Sequence, residues 1–468
     1  MKHRKRAFTL KPGLASLCLL ASVVHAQDVA DIPEAVRENV ELLIQNGLDD
    51  NVGYEFVRDL TTEVGQRLAG SEAEERARIW STQKLAELGF ANIRTEPFKI
   101  PYWSRRVDKA SIVSPAPQDM VISALGGSTS TPPGGVEAEV IRFESMGELR
   151  AASTDVVSDK IVFIDEKMTR TQDGSGYGMA VRKRRNCATT TSQKGGLACL
   201  IRSVGTQSRR FAHTGMMFRS AAVGDGPAAA LSPPDAEQLT RLLENGPVKV
   251  RLEIEVETQP EAPSGNVIAE VVGRERPEEI VLIGCHLDSW DLGTGAVDDG
   301  AGCGIVVGAA HLIMSLDEAP RRTIRVVLYG AEEVGLLGGF AYAKRHADEM
   351  DQHILAAESD FGADKIWRFE TRFGDRALPY ARAIQRVLEP LGISPGHNLA
   401  SGGPDISMLP RLGVPVVTPR QNGWDYFDLH HTPDDTFDKI DQGNLNQNIA
   451  AYAAFAYLAA EMDWDFRE

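Results

Sequence analysis

The chain has 468 residues, 43% hydrophobic and 25% charged, with a formal net charge of −16. That length supplies two or three domains with ample core and excludes a single small module. The acidic balance excludes a nucleic-acid partner unless a dense basic stripe opposes it, and the one dense basic run, VRKRRN at 181–186, is short and reads as a solvated loop.

The first residues, MKHRKRAFTLKPGLASLCLLASVVHA, join a basic start to an apolar run and then to small residues before Gln27. This is the pattern of a secretory signal peptide at 1–26, cut after Ala26, so the mature protein is expected to be exported, periplasmic or secreted. The apolar run is too short for a permanent membrane span, no later segment approaches about twenty apolar residues, and no stable membrane span is expected. Leu17 stands before Cys18 where a lipoprotein signal needs a small residue. Beyond the signal remain Cys187, Cys199, Cys285 and Cys303, of which the first two can close one loop, too few for a disulfide scaffold.

Residues 27–107 open with helical patterning in AVRENVELLIQNGL and YEFVRDLTTEV. A further helix follows GQRLAGSEAEERAR, where Ser71 and Glu74 have capping-box spacing. From 108 to 255, short β-rich runs (KIVFI, VKVRLEIEV) alternate with stretches such as GGSTSTPPGG, and one helix follows SPP, which reads as an inserted β-rich domain. TQPEAPSGN is expected to be a linker. Residues 266–468 alternate buried-strand runs with helices, predicting an α/β sheet with helices on both faces and chemistry at the carboxyl ends of its strands.

Those strand ends carry the chemistry. The stretch CHLDSWDLGTGAVDDGAG at 285–302 holds His286, Asp288, Asp291, Asp298 and Asp299. EIVLIGC runs into His286, TIRVVLYGA into Glu332 and Glu333, HILAAES into Asp360, and the loop after GVPVVTP ends in His430 and His431. Singly, each has a plain explanation: a satisfied histidine at a strand end, a helix capped by Asp298 or Asp299, a polar loop. Adjacent glutamates beside a strand are harder to place, because side chains alternate and one acid would point inward uncompensated. Together, one metal site accounts for all of them. Mixed imidazole and carboxylate donors suit zinc, and their number exceeds what one open zinc site needs, so two ions bridged by a carboxylate are expected. Asp298, on a glycine-bounded turn, is the candidate bridge. The Asp288 carboxylate is expected to accept the other ring N–H of His286. Of Glu332 and Glu333, one is expected to bind metal and the other to move a proton.

The segments GCHLDSW, GAVDDGAG, GAEEVGLLGG, ESD and HHTPDDT resemble those of the co-catalytic dinuclear zinc exopeptidases, peptidase family M28, and KGGLACLIRSV, HTG and PAAALSPPDAEQLTRLL resemble a protease-associated insert. The resemblance implies a mixed, mostly parallel sheet with helices on both faces. It places a zinc peptidase domain at 27–107 and 256–468, interrupted by a protease-associated-like domain at 108–255. It implies two Zn2+ ions, with Asp298 bridging, His286 and Asp360 completing one set, Glu333 and His431 the other, and Glu332 as general base. Asp360 is preferred to Glu358 for its 27-residue separation from Glu333, and His431 to His430 because it directly precedes Thr432. Two departures stand out: Cys285 and Cys303 where relatives often have small residues, and His430 where some have a tyrosine, which gives His430 a candidate oxyanion role.

The implied activity is hydrolysis of dipeptides or short peptides with free termini, with aminopeptidase action as the alternative and a homodimer left open. Arg420 is a candidate grip for a substrate carboxylate, or else a surface salt bridge. The acylase and desuccinylase group would need a Gly-Arg-Gly run before the bridging acid, absent around VDDGAG. A receptor-like relic would have lost ligands, and no G-x-S-x-G elbow supports a serine hydrolase.

Overall fold

The computed structural model describes residues 29–49, 51–218 and 226–468; the expected signal peptide at 1–26 lies outside them. Three helices, α1 (Glu34–Leu48), α2 (Val52–Asp59) and α3 (Glu72–Glu87), lead into a long strand, β1 (Ala91–Ser114). Ser71 caps α3 as expected, its hydroxyl accepting the Glu74 N–H at 3.2 Å. The Glu74 carboxylate reaches back one residue further than a capping box requires, to the N–H of Gly70 (2.9 Å). It is fully buried and also accepts from Ser264 and pairs with Arg78.

Next come β2 (Gln118–Met120), β3 (Ile122–Ala124), β4 (Val136–Phe143), α4 (Met146–Ala151), α5 (Thr154–Val157) and β5 (Ile161–Ile164). They are followed by α6 (Ser175–Gln193), β6 (Ala198–Arg202), β7 (Ala228–Leu231), α7 (Pro233–Asn245) and the long strand β8 (Lys249–Val271). The remainder is β9 (Arg276–His286), α8 (Ala301–Met314), β10 (Arg322–Tyr329), α9 (Leu337–Arg345), β11 (His353–Glu358) and β12 (Ile366–Arg372). Then follow α10 (Leu378–Leu388), β13 (Ser394–Pro395), β14 (Val416–Gln421), α11 (Tyr426–Leu429) and α12 (Gln442–Glu461).

The strands form one mixed, mostly parallel sheet in the order β13-β12-β14-β11-β9-β10-β8-β4-β5-β6-β7-β3, with β1 paired to β8 and β2. In its centre β14, β11, β9 and β10 are mutually parallel, so their carboxyl ends share one edge. Side-chain alternation splits each strand between two cores. Val281, Ile283, Val326 and Leu328 pack against α8 and α12, whereas Ile280, Leu282, Val327 and Tyr329 pack against Tyr342 and Ala343 of α9. The stretch Ala296–Met314 is long and apolar enough to cross a bilayer, but 89% of it is buried inside the protein, where it forms a core helix.

The sheet runs without a break into the middle of the chain. The expected boundaries at 107 and 255 fall inside β1 and β8, which pair along almost their whole length. Two further apolar cores flank β5, β6 and β7, one covered by α7 and the other by α4 and α6.

Two local expectations fail. TQPEAPSGN is strand, not linker, because residues 253–266 of β8 pair with β1 alone, and a proline there leaves no ladder bond unmade on the open side. VRKRRN is helix, not loop. Ala180, Val181, Cys187 and Ala188 of α6 pack into the core beneath β5 and β6, Cys187 is disulfide-bonded to Cys199, and Lys183 and Arg184 bury their stems. Counting charges overlooked that long basic side chains bury readily on a helix that has an apolar face.

Candidate active site

Four parallel strands deliver the acids and imidazoles to one point. His286 ends β9, Glu332 and Glu333 follow β10, Asp360 follows β11, and the chain leaving β14 passes through α11 to His430 and His431. His286 Nε2 lies 3.1 Å from Asp298 Oδ1 and 3.5 Å from Asp360 Oδ1. His431 Nε2 lies 3.2 Å from the other oxygen, Asp298 Oδ2, and 2.9 Å from Glu333 Oε2. Asp298 thus stands between two groups and offers one oxygen to each. Glu358 is buried outside both, accepting the N–H of Ile406 at 3.3 Å. His430 stacks on His431 with ring centroids 3.5 Å apart, and its Nε2 is 3.6 Å from Asp298 Oδ2.

Backbone carbonyls fix both imidazoles. His286 Nδ1 is 2.9 Å from the Asp288 carbonyl and His431 Nδ1 is 3.2 Å from the Thr214 carbonyl. A carbonyl only accepts, so each Nδ1 carries the hydrogen and each Nε2 turns a lone pair toward carboxylate oxygens. Lone pair facing lone pair at about 3 Å is repulsive unless a cation lies between. Glu333 Oε1 is buried with no hydrogen-bond donor, and Asp298 Oδ2 faces only imidazole nitrogens. The spacings match the roughly 3.3 Å edge of a tetrahedron with bonds of about 2.0–2.1 Å, so the donor set fits a metal such as zinc.

Without a cation the acids and imidazoles hold protons for one another. Burial disfavours a charged His286, yet Asp360 and Asp298 outweigh it and push its pKa well up; burial is likewise overcome at His431, which Glu333 and Asp298 raise to about 9. Burial also opposes ionisation of Asp298, but hydrogen bonds from His286 and His431 hold it well below the usual carboxylate range. Enclosure beside Asp360 and Glu333 drives Glu332 well up.

The remaining motif residues hold this group in place, not always as expected. The Asp288 carboxylate does not take the His286 ring N–H, which goes to its own backbone carbonyl. It accepts instead from the backbone of Glu332 (3.0 Å) and Glu333 (3.3 Å) and so fixes the turn after β10. Asp299 ties the start of α8 to β9, accepting from the backbone of Gly302 (3.0 Å) and of His286 (3.1 Å). Asp291 pairs with Arg105 at 2.5 Å. Arg420 lies in β14, not in a loop, and its Nε is 2.9 Å from Glu370 Oε2: of its two candidate roles, the structure shows the salt bridge. Cys285 and Cys303 form a second disulfide directly beneath the site, which joins the end of β9 to α8.

Four residues given no role from sequence contribute. Asp435 accepts from the backbone of Val297 (2.6 Å) and Asp298 (3.3 Å), setting the turn that presents Asp298. Trp290 Nε1 donates to Glu333 Oε2 at 2.6 Å. Arg67, fully buried, spreads its guanidinium over the carbonyls of Gly65, Leu287, Thr294 and Gly295. Thr214 orients His431 from the middle part of the chain. Asp435, Trp290 and Thr214 lie inside the segments HHTPDDT, GCHLDSW and HTG, a signal that was available, though Thr214 acts through its carbonyl; the Arg67 guanidinium binds main-chain carbonyls, which no side-chain motif reveals.

The site opens into a cavity of about 690 Å³ whose wall includes Asp298, Glu332, Glu333, Asp360, His430 and His431. That volume suits a small organic ligand.

Comparison with known proteins places this geometry. A profile of Peptidase family M28 matches residues 266–456. The chain is 33% identical to carboxypeptidase Q of Mus musculus over 438 residues, 93% of this chain and 91% of that protein. It superposes on the crystal structure of a Peptidase M28 precursor from Shewanella amazonensis with a TM-score of 0.91 at 49% identity, covering 93% of this chain and 98% of the other. A zinc aminopeptidase from Bacillus subtilis shares the fold, with a TM-score of 0.63 at 20% identity over 89% of this chain and 97% of its own. The chain belongs to peptidase family M28 and is a metallopeptidase.

Proposed function

We propose that the protein is an exported dinuclear zinc exopeptidase that hydrolyses dipeptides or short peptides with free termini, a carboxypeptidase Q-like activity. The observation that carries this reading is Asp298, which presents Oδ1 to His286 and Oδ2 to His431, each beside a second carboxylate. One zinc is assigned to His286, Asp360 and Asp298, the other to His431, Glu333 and Asp298. When bound, the ions supply Lewis acidity toward a water and the scissile carbonyl.

The chain's own groups do the rest. Glu332 lines the cavity while the Asp288 carboxylate holds its backbone, so its carboxylate is positioned to take a proton from the attacking water and return it to the leaving amine. His430, kept neutral by burial and by neighbouring His431, lies beside Asp298 and is assigned to the developing oxyanion. The cavity's size accommodates a short peptide, and the middle part of the chain, read as a protease-associated-like domain, supplies one of its walls. Export rests on the N-terminal pattern at 1–26.

Purified protein is expected to carry zinc and to cleave an unblocked dipeptide; a chelator should abolish turnover and added zinc restore it. Protein with neither bound zinc nor turnover would instead be a binding relic of the fold. Assays with N-blocked and C-blocked dipeptides separate carboxypeptidase from aminopeptidase action.

A further inference from the structure

The cavity wall opposite the acids carries a cation that the proposed chemistry leaves unused. Arg184, from the run VRKRRN, projects from α6 into the same cavity as Glu332 and His431 and is only 5% exposed. Its Nη2 donates to the Tyr177 hydroxyl at 2.5 Å and its Nη1 to the Thr214 carbonyl at 3.4 Å. Its Nε is buried without a partner. The contact of Nη1 with His431 Nδ1, at 3.5 Å, is no hydrogen bond, because that nitrogen carries the hydrogen aimed at Thr214. Among the described residues no carboxylate pairs with Arg184, although four carboxylates line the same cavity. A buried guanidinium without an anion is costly, and buried charges are ordinarily paired.

We propose that Arg184 receives the free α-carboxylate of the substrate, so that the middle part of the chain, not the peptidase sheet, selects for a free carboxyl terminus. This deepens the peptidase reading and rests on it. The guanidinium is a planar fork suited to two carboxylate oxygens. The Tyr177 hydroxyl accepts from Arg184 and keeps its own hydrogen to donate; burial pushes its pKa up, so it stays protonated. Arg184 touches the side of His431 that faces away from the carboxylates, with Nη1 3.5 Å from Nδ1, and lines the same cavity as Glu332, so a substrate anchored there by its carboxyl end lies within reach of the acids. Such anchoring favours release of residues from the carboxyl end, or of both halves of a dipeptide.

The test compares kcat/KM for one unblocked dipeptide and its C-terminal amide, in wild type, R184M, R184K and R182M, with zinc content measured for each. Arg182 is exposed on the same helix and serves as the control. Wild type and R182M should prefer the free acid on the order of a hundredfold, a discrimination of the size seen when a buried site loses its charged partner. R184M should lose that preference, mainly through KM, with zinc content unchanged, and R184K should recover part of it. A preference that survives in R184M overturns the assignment, as does a parallel loss on both substrates, which would make Arg184 a prop for His431. Wild-type protein that cleaves acid and amide equally overturns it while leaving the peptidase reading intact. Wild-type protein that cleaves neither overturns that reading, and the assignment with it.

Discussion

Glu332 and Glu333 are neighbours in sequence with opposite surroundings: Glu333 touches His431 and Trp290, while Glu332 faces the cavity. E332Q should therefore keep its zinc and lose about 10²–10⁴-fold in kcat, measured by metal analysis beside dipeptide turnover; full activity would remove Glu332 from the chemistry. Asp435 should act through metal affinity, because its carboxylate sets the backbone that presents Asp298. D435A should bind zinc roughly 10–100-fold more weakly in chelator competition, and unchanged affinity would contradict that role. What was legible in sequence at this scale followed from side chains placed at or just past strand ends, as with His286 and Asp360, and from the loop beyond β14 that ends in His431. The hydrogen-bonding of His286 was misread because the acceptor is a backbone carbonyl, and a motif records only side chains. Arg184 was passed over because a run of basic residues does not show which of them turns inward.

At the scale of elements, α6 and α8 each hold a device that spacing alone did not expose. The Cys285–Cys303 bridge closes a separation of 18 residues, so the double variant C285S/C303S should lose about 3 kcal/mol, read as a lower denaturant midpoint, with a steeper slope if the freed unfolded chain expands. Lys183 on α6 is fully buried, and desolvation lowers its pKa from 10.5 to about 7. Between those values the unfolded chain binds more protons than the folded one, so the penalty is full below pH 7 and fades as pH rises toward 10.5. K183M should accordingly be more stable than wild type by roughly 1–3 kcal/mol at pH 7, with the gap closing by pH 10; a gap constant with pH would show that Lys183 is not buried uncharged. Prolines pointed to a linker at 258–266, whereas the partner that makes strand possible there, β1, lies more than 150 residues away.

For the whole molecule, the alternation of strand and helix after residue 266 fixed the class of fold, and the sheet confirms it. Pattern could not reveal that β1 and β8 run from the central sheet into the middle part, because pairing over such separations leaves no local periodicity. That continuity lets α6 and Thr214 reach the cavity and His431, so the proposed substrate selection and the proposed chemistry rest on one continuous sheet. The account rests on a pair of ions sharing Asp298. Anomalous diffraction at the zinc edge from crystals of the zinc-loaded protein tests it most directly. The predicted result is two peaks about 3.5–4 Å apart, one contacting Asp298 Oδ1 with His286 and Asp360, the other Oδ2 with His431 and Glu333. A single peak, or two that do not share Asp298, would contradict it.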